Sequence, residues 1–374
     1  MTGPHRAIAA TRLAVRQVLA RIEAASPGGR VLVACSGGAD SLALAAAVAF
    51  EAPRLGLQAG AVIVDHGLQE GSQAVAARAA EQCLGLGLGP VEILTVRVGP
   101  RGGGSGAGPE SRARDARYGA FQEAVQRFGA VAVLLGHTRD DQAEQVLLGL
   151  ARGSGARSLA GMPARRGPYV RPLLAVARAT TVAACEAAGL TAWVDPHNSD
   201  PAFGRVRARS LLPVLERDLG PGTVAALARS ADLLRDDADA LDDLADQARA
   251  KLGGVPPREL GGVPTQELGQ APTRPSSGQA PGHTPGPASR QPLKPGEIEA
   301  AELLGLPRAI RTRVWRLLAL EAGCPPGALV STHIDSLDTL VTCWRGQGPI
   351  DLPGPVQGSR RDGRVLIAGP RQVE

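Results

Sequence analysis

The sequence predicts an α/β fold: a doubly wound parallel sheet, then a long linker helix, then a small α+β domain. Three observations predict it. Short apolar runs at 31–35, 61–65, 91–96 and 131–136 alternate with helix-like stretches at about 41–50, 72–84, 110–128 and 139–151, and such βαβα alternation marks a parallel sheet with helices on both faces. Residues 222–251 read as one long helix. A separate group of short helices and strands begins near residue 298.

Taken in order, residues 8–24 form an amphipathic helix with Val15, Val18, Leu19 and Ile22 on one face. The four apolar runs and their helices follow, with the loop GPRGGGSGAGP at 99–109 preceding the third crossover helix. A helix at 175–188 and a strand at 191–194 complete the first domain, 1–217, near which Leu211-Leu212-Pro213 reads as a break. In the linker, 218–252, the partial apolar face is Val224, Leu227, Ala231, Leu234, Leu241 and Leu244. Residues 253–297 are rich in Pro and Gly and contain the octads GGVPPREL and GGVPTQEL. So few large apolar groups cannot offset the entropy of ordering, which predicts a disordered insertion. The last domain, 298–374, has helices at 307–322, with Ile310, Val314, Leu317 and Leu318 inward, and at 332–343, then strands near 348–352 and 363–368.

Composition bounds the function. The 374 residues suit two domains, and with aromatics at only 2% the core rests on Ala, Val and Leu. No apolar run approaches the length of a membrane span, and the Arg-bearing N-terminus lacks a secretory apolar region. Five cysteines, Cys35, Cys83, Cys185, Cys324 and Cys343, form no C-x-x-C pair, which predicts a reducing cytoplasm and argues against a zinc ribbon or iron–sulfur centre. Only Lys251 and Lys294 are lysines, so no Walker lysine or Schiff-base lysine precedes residue 251. The net charge of +5 weakly favours a polyanionic partner. Its distribution says more: residues 145–185 hold Arg152, Arg157, Arg165, Arg166, Arg171 and Arg178 and no acid.

The strongest chemical signal is Ser36-Gly37-Gly38-Ala39-Asp40-Ser41, between an apolar run and an Ala/Leu-rich helix. Two glycines permit a sharp turn that presents N–H groups to an anion, and the helix terminus adds positive dipole. Ser36 and Ser41 offer hydroxyls to phosphate oxygens, while Asp40 beside a phosphate suggests Mg²⁺ between them. The plainer reading is a glycine turn with a capping serine. The second signal is GHTRDDQAE at 136–144. Asp141 and Glu144 share one helix face near His137 and could hold Mg²⁺ or an ammonium, while Asp140 or Asp141 could instead cap the helix. Asp65-His66-Gly67 ends the second run, where a nucleoside edge or a plain turn belongs. Arg112, Arg114, Arg117 and Tyr118 combine basic groups with an apolar face. The acid-free Arg stretch, and Arg205, Arg207 and Arg209, suit phosphate contacts or an ordinary basic surface and hinge.

SGGADS after VLVAC resembles the pyrophosphate loop of the N-type ATP pyrophosphatases, which share an adenine-nucleotide alpha-hydrolase-like fold. VDHGL (64–68), R-x-x-RY (114–118), GHTRDDQAEQVLLGLARGSG (136–155), GM (161–162), RPLL (171–174), W-V-D-x-x-N-S-D (193–200) and LLP (211–213) resemble the tRNA(Ile)-lysidine synthetase family, in that family's order, over about 31–217. Three positions depart from its pattern: Thr138 for a second histidine, Gln145 for threonine, and Val206 for the asparagine of R-N-x-x-R.

The resemblance implies that ATP adenylates C2 of the wobble cytidine in the CAU anticodon of an isoleucine tRNA. Free L-lysine then attacks C2 and releases AMP, which moves codon reading from AUG to AUA. It implies ATP contacts from Ser36, Gly37, Gly38, Ala39, Asp40, Ser41, Asp65 and His66, with Mg²⁺ at Asp40. It implies catalytic roles for Asp40, His137, Asp141 and Glu144, the last pair binding the lysine amine. It implies tRNA contacts from Arg114, Arg117, Arg152, Arg171, Arg205 and Arg209 and from the C-terminal domain, whose nine arginines against seven acids over 301–374 favour reading of shape over charge. Dimers occur in the family, which leaves a homodimer open, though the sequence shows no interface. A tRNA thiolase would need a catalytic cysteine or cluster, which Cys35 inside its strand does not offer. An ammonia-using synthetase leaves the Arg-rich region unexplained, and a binding-only protein leaves the carboxylates unexplained. Deletion of 253–296 is expected to leave activity intact; a large loss of tRNA affinity in that variant would give the segment a role.

Overall fold

The computed structural model describes residues 3–67, 71–96, 109–195, 200, 202–253 and 297–369. Most of the expected 99–109 loop and of the 253–297 insertion lies outside them. The chain divides into two compact units, Met1–Asp236 and Asp237–Glu374.

In the first unit α1 (Arg6–Ala25) precedes β1 (Arg30–Ala34), α2 (Ala39–Glu51), β2 (Gln58–Asp65), α3 (Ser72–Gly85) and β3 (Val91–Thr95). Then follow α4 (Pro109–Phe128), β4 (Ala130–Leu135), α5 (Arg139–Ala151), the short α6 (Ala156–Leu159), β5 (Arg165–Arg166), β6 (Tyr169–Val170), α7 (Arg178–Ala187), α8 (Gly204–Asp218) and the start of α9 (Thr223–Gly253). The strands form one six-stranded sheet in the order β3-β2-β1-β4-β6-β5, parallel except for the β5–β6 pair. β1 lies centrally, with β2 on one side and β4 on the other, so the strand order reverses beside it. The carboxyl ends of β1 and β4 flank this reversal, the place where ligands of such sheets bind.

Alternation along β1 explains why both faces are covered. Val31 and Val33 face one core with Leu19, Leu42, Val48 and Leu173, and Leu32 faces another with Val62, Val133 and Phe121 of α4. All three β1 residues are fully buried. α1 is fastened to α2 by the bidentate pair of Arg16 with buried Glu51, at 2.8 and 2.9 Å.

Three expectations fail here. Residues 191–194 form no strand: Thr191 donates to the Gln82 side chain and Trp193 to the Gly37 carbonyl, so this extended segment is tied to α3 and to the loop after β1 instead of a ladder. The sheet edge is instead the two-residue strands β6 and β5. Leu211-Leu212-Pro213 is no break either, because α8 continues through Pro213. On α9 the inward stripe is Val224, Ala231, Ala238, Ala245 and Leu252, while Leu244 stands half exposed. Seven-residue spacing keeps such a stripe on one narrow face.

The second unit holds the rest of α9, β7 (Glu297–Glu299), α10 (Ala300–Gly305), α11 (Arg308–Glu321), α12 (Ser331–Thr342), β8 (Ile350–Leu352), β9 (Val356–Arg361) and β10 (Arg364–Ala368). Its antiparallel sheet runs β7-β10-β9-β8. Trp315 is fully buried, and its indole N–H donates to Asp338 Oδ1 at 3.0 Å. Arg311 grips the same carboxylate at 2.7 and 3.1 Å, which satisfies this buried polar pair. Among the described residues no helix is long and apolar enough to cross a membrane.

Candidate active site

The loop after β1 is built to stay open. Gly37 has φ +80°, which disfavours any side chain there, and Gly38 caps α2 without a side-chain hydrogen bond. The first-turn N–H groups of α2 therefore remain available to an anion. Buried Ser41 sets the loop's curvature: its hydroxyl accepts from Ser36 N at 3.1 Å and donates to the Gly38 carbonyl at 2.9 Å. Ser36 is exposed at the rim.

The tip of β4 closes against this loop. A Cβ on Gly136 would lie 3.1 Å from Ser41 Cα and N and 3.2 Å from the Asp40 carbonyl carbon. These contacts are backbone, which cannot rotate away. Gly136→Ala is therefore expected to cost about 1–3 kcal/mol of stability by displacing the loop. Chemical unfolding checks this; a wild-type midpoint would refute the close approach.

The second signal divides its carboxylates by role. Asp141 Oδ2 accepts from Thr138 N at 2.7 Å and Thr138 Oγ1 at 2.8 Å, closing the N-terminus of α5. Thr138, where relatives were expected to carry a second histidine, thus orients Asp141. Asp140 instead accepts from the Arg178 backbone N–H at 2.8 Å and caps α7. Gln142 donates to the Met162 carbonyl at 2.9 Å and accepts from Met162 N at 2.7 Å, and Gly161 there has φ +62°. That explains the Gly161-Met162 pair: it ties the segment after α6 to α5.

Asp40, Asp141 and Glu144 converge on one guanidinium that the motif reading had counted only as part of a basic stretch. Arg178 reaches Asp141 Oδ1 at 2.7 Å, Glu144 Oε1 at 3.0 Å and Asp40 Oδ2 at 3.4 Å. Asp40 Oδ1 also accepts from Thr181 Oγ1. Burial holds the Asp40 carboxyl above the usual range, against the opposing Thr181 hydrogen bond and Arg178 charge. Burial also pushes Asp141 upward, but Arg178 and the two Thr138 donors outweigh it and leave the carboxyl more acidic than usual. Burial, with the nearby charges of Arg171, Arg205 and Arg114, lowers the His137 imidazole to about 4 despite Asp141. His137 is thus neutral at pH 7, and its buried Nδ1 has no hydrogen-bond partner.

Asp65 ends β2 buried, its Oδ1 accepting from Gly67 N at 3.0 Å. His66 Nε2 accepts from Arg117 Nε at 3.2 Å, and burial followed by the Arg117 charge makes the imidazole harder to protonate, against the pull of Asp65. Arg114 is exposed beside the Tyr118 ring, and Arg152 is exposed at the end of α5. Arg205 lies half-buried on α8. Two of the expected tRNA contacts have partners within the chain. Arg171 is only 5% exposed and donates to the Pro163 carbonyl at 2.8 Å and the Tyr118 hydroxyl at 3.5 Å, so its place is in the packing under the site. Arg209 is committed to Glu144, with Nε 2.7 Å from Oε1 and Nη2 3.4 Å from Oε2.

Comparison with known proteins agrees with this architecture. Residues 11–215 match the PP-loop domain family, and residues 299–366 match the TilS substrate binding domain. The chain is 52% identical to a tRNA(Ile)-lysidine synthase from Thermobifida fusca, over 98% of this chain and 99% of that one. It is 49% identical to the synthase of Streptomyces coelicolor, over 98% and 99%, and 43% identical to that of Mycobacterium tuberculosis, over 91% and 88%. Among solved structures, the U34-tRNA thiolase NcsA from Methanococcus maripaludis aligns over 61% of this chain and 80% of its own, with TM-score 0.50 and 20% identity. That likeness is one of fold.

Proposed function

The chain belongs to the tRNA(Ile)-lysidine synthase family, and from that premise we propose how its residues form lysidine in tRNA(Ile) with ATP as substrate. The observation that carries the proposal is the meeting of Asp40, at the phosphate loop, with Asp141 and Glu144 around a single guanidinium.

ATP lies with its β- and γ-phosphates on the loop Ser36–Ser41 and its nucleoside toward Asp65 and His66. This places the α-phosphate at the crevice, where the cytidine C2 oxygen attacks it and pyrophosphate leaves. Fixing both groups in one crevice supplies much of the rate by orientation alone. Asp40 is the one residue we assign to Mg²⁺. Its carboxylate, in the first turn of α2 beside the loop, would hold the ion next to the phosphates. When bound, Mg²⁺ neutralises charge on the leaving pyrophosphate.

Asp141 and Glu144 take the ε-ammonium of free lysine. An ammonium is not a nucleophile, so a carboxylate must accept a proton before the amine attacks C2 and AMP departs with the C2 oxygen. Neutral His137 borders this pair as an uncharged hydrogen-bonding group. Exposed Arg114, Arg117 and Arg152, with Arg205, hold the anticodon stem-loop backbone, and the C-terminal domain reads tRNA shape. The domain limits we propose are 1–217, 218–252, 253–297 and 298–374. We place the enzyme in the cytoplasm, in keeping with five free cysteines.

Product analysis tests the reading. After incubation with ATP, Mg²⁺, lysine and CAU-anticodon tRNA(Ile), the wobble nucleoside is expected to gain the mass of lysine less water. A sulfur or ammonia adduct would move the chain to another branch of the superfamily.

A further inference from the structure

Arg178 opens α7 with its side chain 21% exposed, and three guanidinium nitrogens face three different carboxylates. Nε meets Asp40, Nη1 meets Glu144 and Nη2 meets Asp141. Its own backbone N–H is held by Asp140, so the side chain starts from a fixed point. These partners come from the start of α2 and the first two turns of α5. A planar fork with donors on all three nitrogens can bridge such a set; an ammonium on a flexible stem cannot.

Arg209 also pairs with this cluster, its Nε 2.7 Å from Glu144 Oε1 and its Nη2 3.9 Å from Asp141 Oδ1. Glu144 Oε2 is met only at 3.4 Å, by Arg209 Nη2, which leaves acceptor capacity on that oxygen. Without Arg178, Asp141 Oδ1 loses its 2.7 Å donor and Glu144 Oε1 its 3.0 Å one, and nothing ties the pair to Asp40 Oδ2.

We propose that Arg178 is a positioning residue for the amine step: it holds Asp141 and Glu144 in place for one ammonium and in register with Asp40, where the base is activated. This rests on the lysidine reading above.

The test uses full-length Arg178→Gln and Arg178→Lys with separate KM measurements for lysine and ATP in the lysine-transfer assay. Arg178→Gln is expected to raise the lysine KM by about tenfold or more, the scale of one lost charge-assisted contact, with the ATP KM within about twofold. Arg178→Lys retains charge but not the fork, so it should recover part of the lysine affinity and not all. A wild-type lysine KM in Arg178→Gln, or full recovery in Arg178→Lys, overturns the proposal. So does an equal rise in both KM values, which would mark a purely structural role. If Arg178→Gln does not fold, Arg178→Lys alone decides. Failure of the wild-type enzyme to transfer lysine would instead sink the underlying reading.

Discussion

Asp40→Asn is expected to abolish adenylation, by on the order of 10²–10³-fold or more, while tRNA affinity stays near that of the wild type. The substitution keeps size and the ability to accept from Thr181, and it removes the charge and the Oδ2 acceptor that faces Arg178 Nε. That charge stands beside the phosphate loop, where we place Mg²⁺. Stability should change little. Burial raises the folded-state pKa of Asp40, so above its ordinary range the ionised carboxylate costs the folded state free energy relative to the unfolded one. The neutral amide removes that cost but also loses the 3.4 Å contact with Arg178 Nε, and the variant should melt close to the wild type at pH 7. Pyrophosphate release, filter binding of tRNA and a thermal melt check the three parts. Wild-type AMP release would refute the assignment.

Glu144→Gln should separate the two chemical steps. Adenylation of the tRNA is expected to remain within about tenfold, while lysine transfer falls by about 10²–10⁴-fold, the usual range for losing a positioned general base. The same variant removes the buried charge that Arg178 and Arg209 share, which is expected to lower stability as well. A melt and the adenylation rate together distinguish loss of chemistry from loss of fold. Equal losses in both steps would place Glu144 in general support of the site and not at the amine.

Much of this architecture is legible in the sequence because its determinants are local. β1, β2, β3 and β4 are apolar runs of five to eight residues, and the glycine loop and carboxylates sit directly at strand ends, where the fold puts ligands. The two-residue strands β5 and β6 are too short to show any alternation. The 191–194 segment has strand-like composition, but its N–H groups found the Gly37 carbonyl and Gln82 in place of a neighbouring strand. Pro213 marks a break by local rule, yet α8 runs on through it.

Arg178 shows why the site was only partly readable. Its partners lie 34, 37 and 138 residues away, so no spacing along the chain relates them. The faint signal was an arginine at a helix start within an acid-free stretch, near carboxylates the fold would bring together. Arg171 is hidden from the sequence for the opposite reason. It belongs to that same stretch, but the turn leading out of β6 buries it against Pro163 and Tyr118.

AMP formation from ATP with CAU-anticodon tRNA(Ile), measured with and without free lysine, tests the central claim most directly. The account predicts that steady AMP release requires lysine and that one labelled lysine enters the tRNA for each AMP formed. AMP release at the same rate without lysine, or turnover only with a sulfur donor or ammonia, would contradict it.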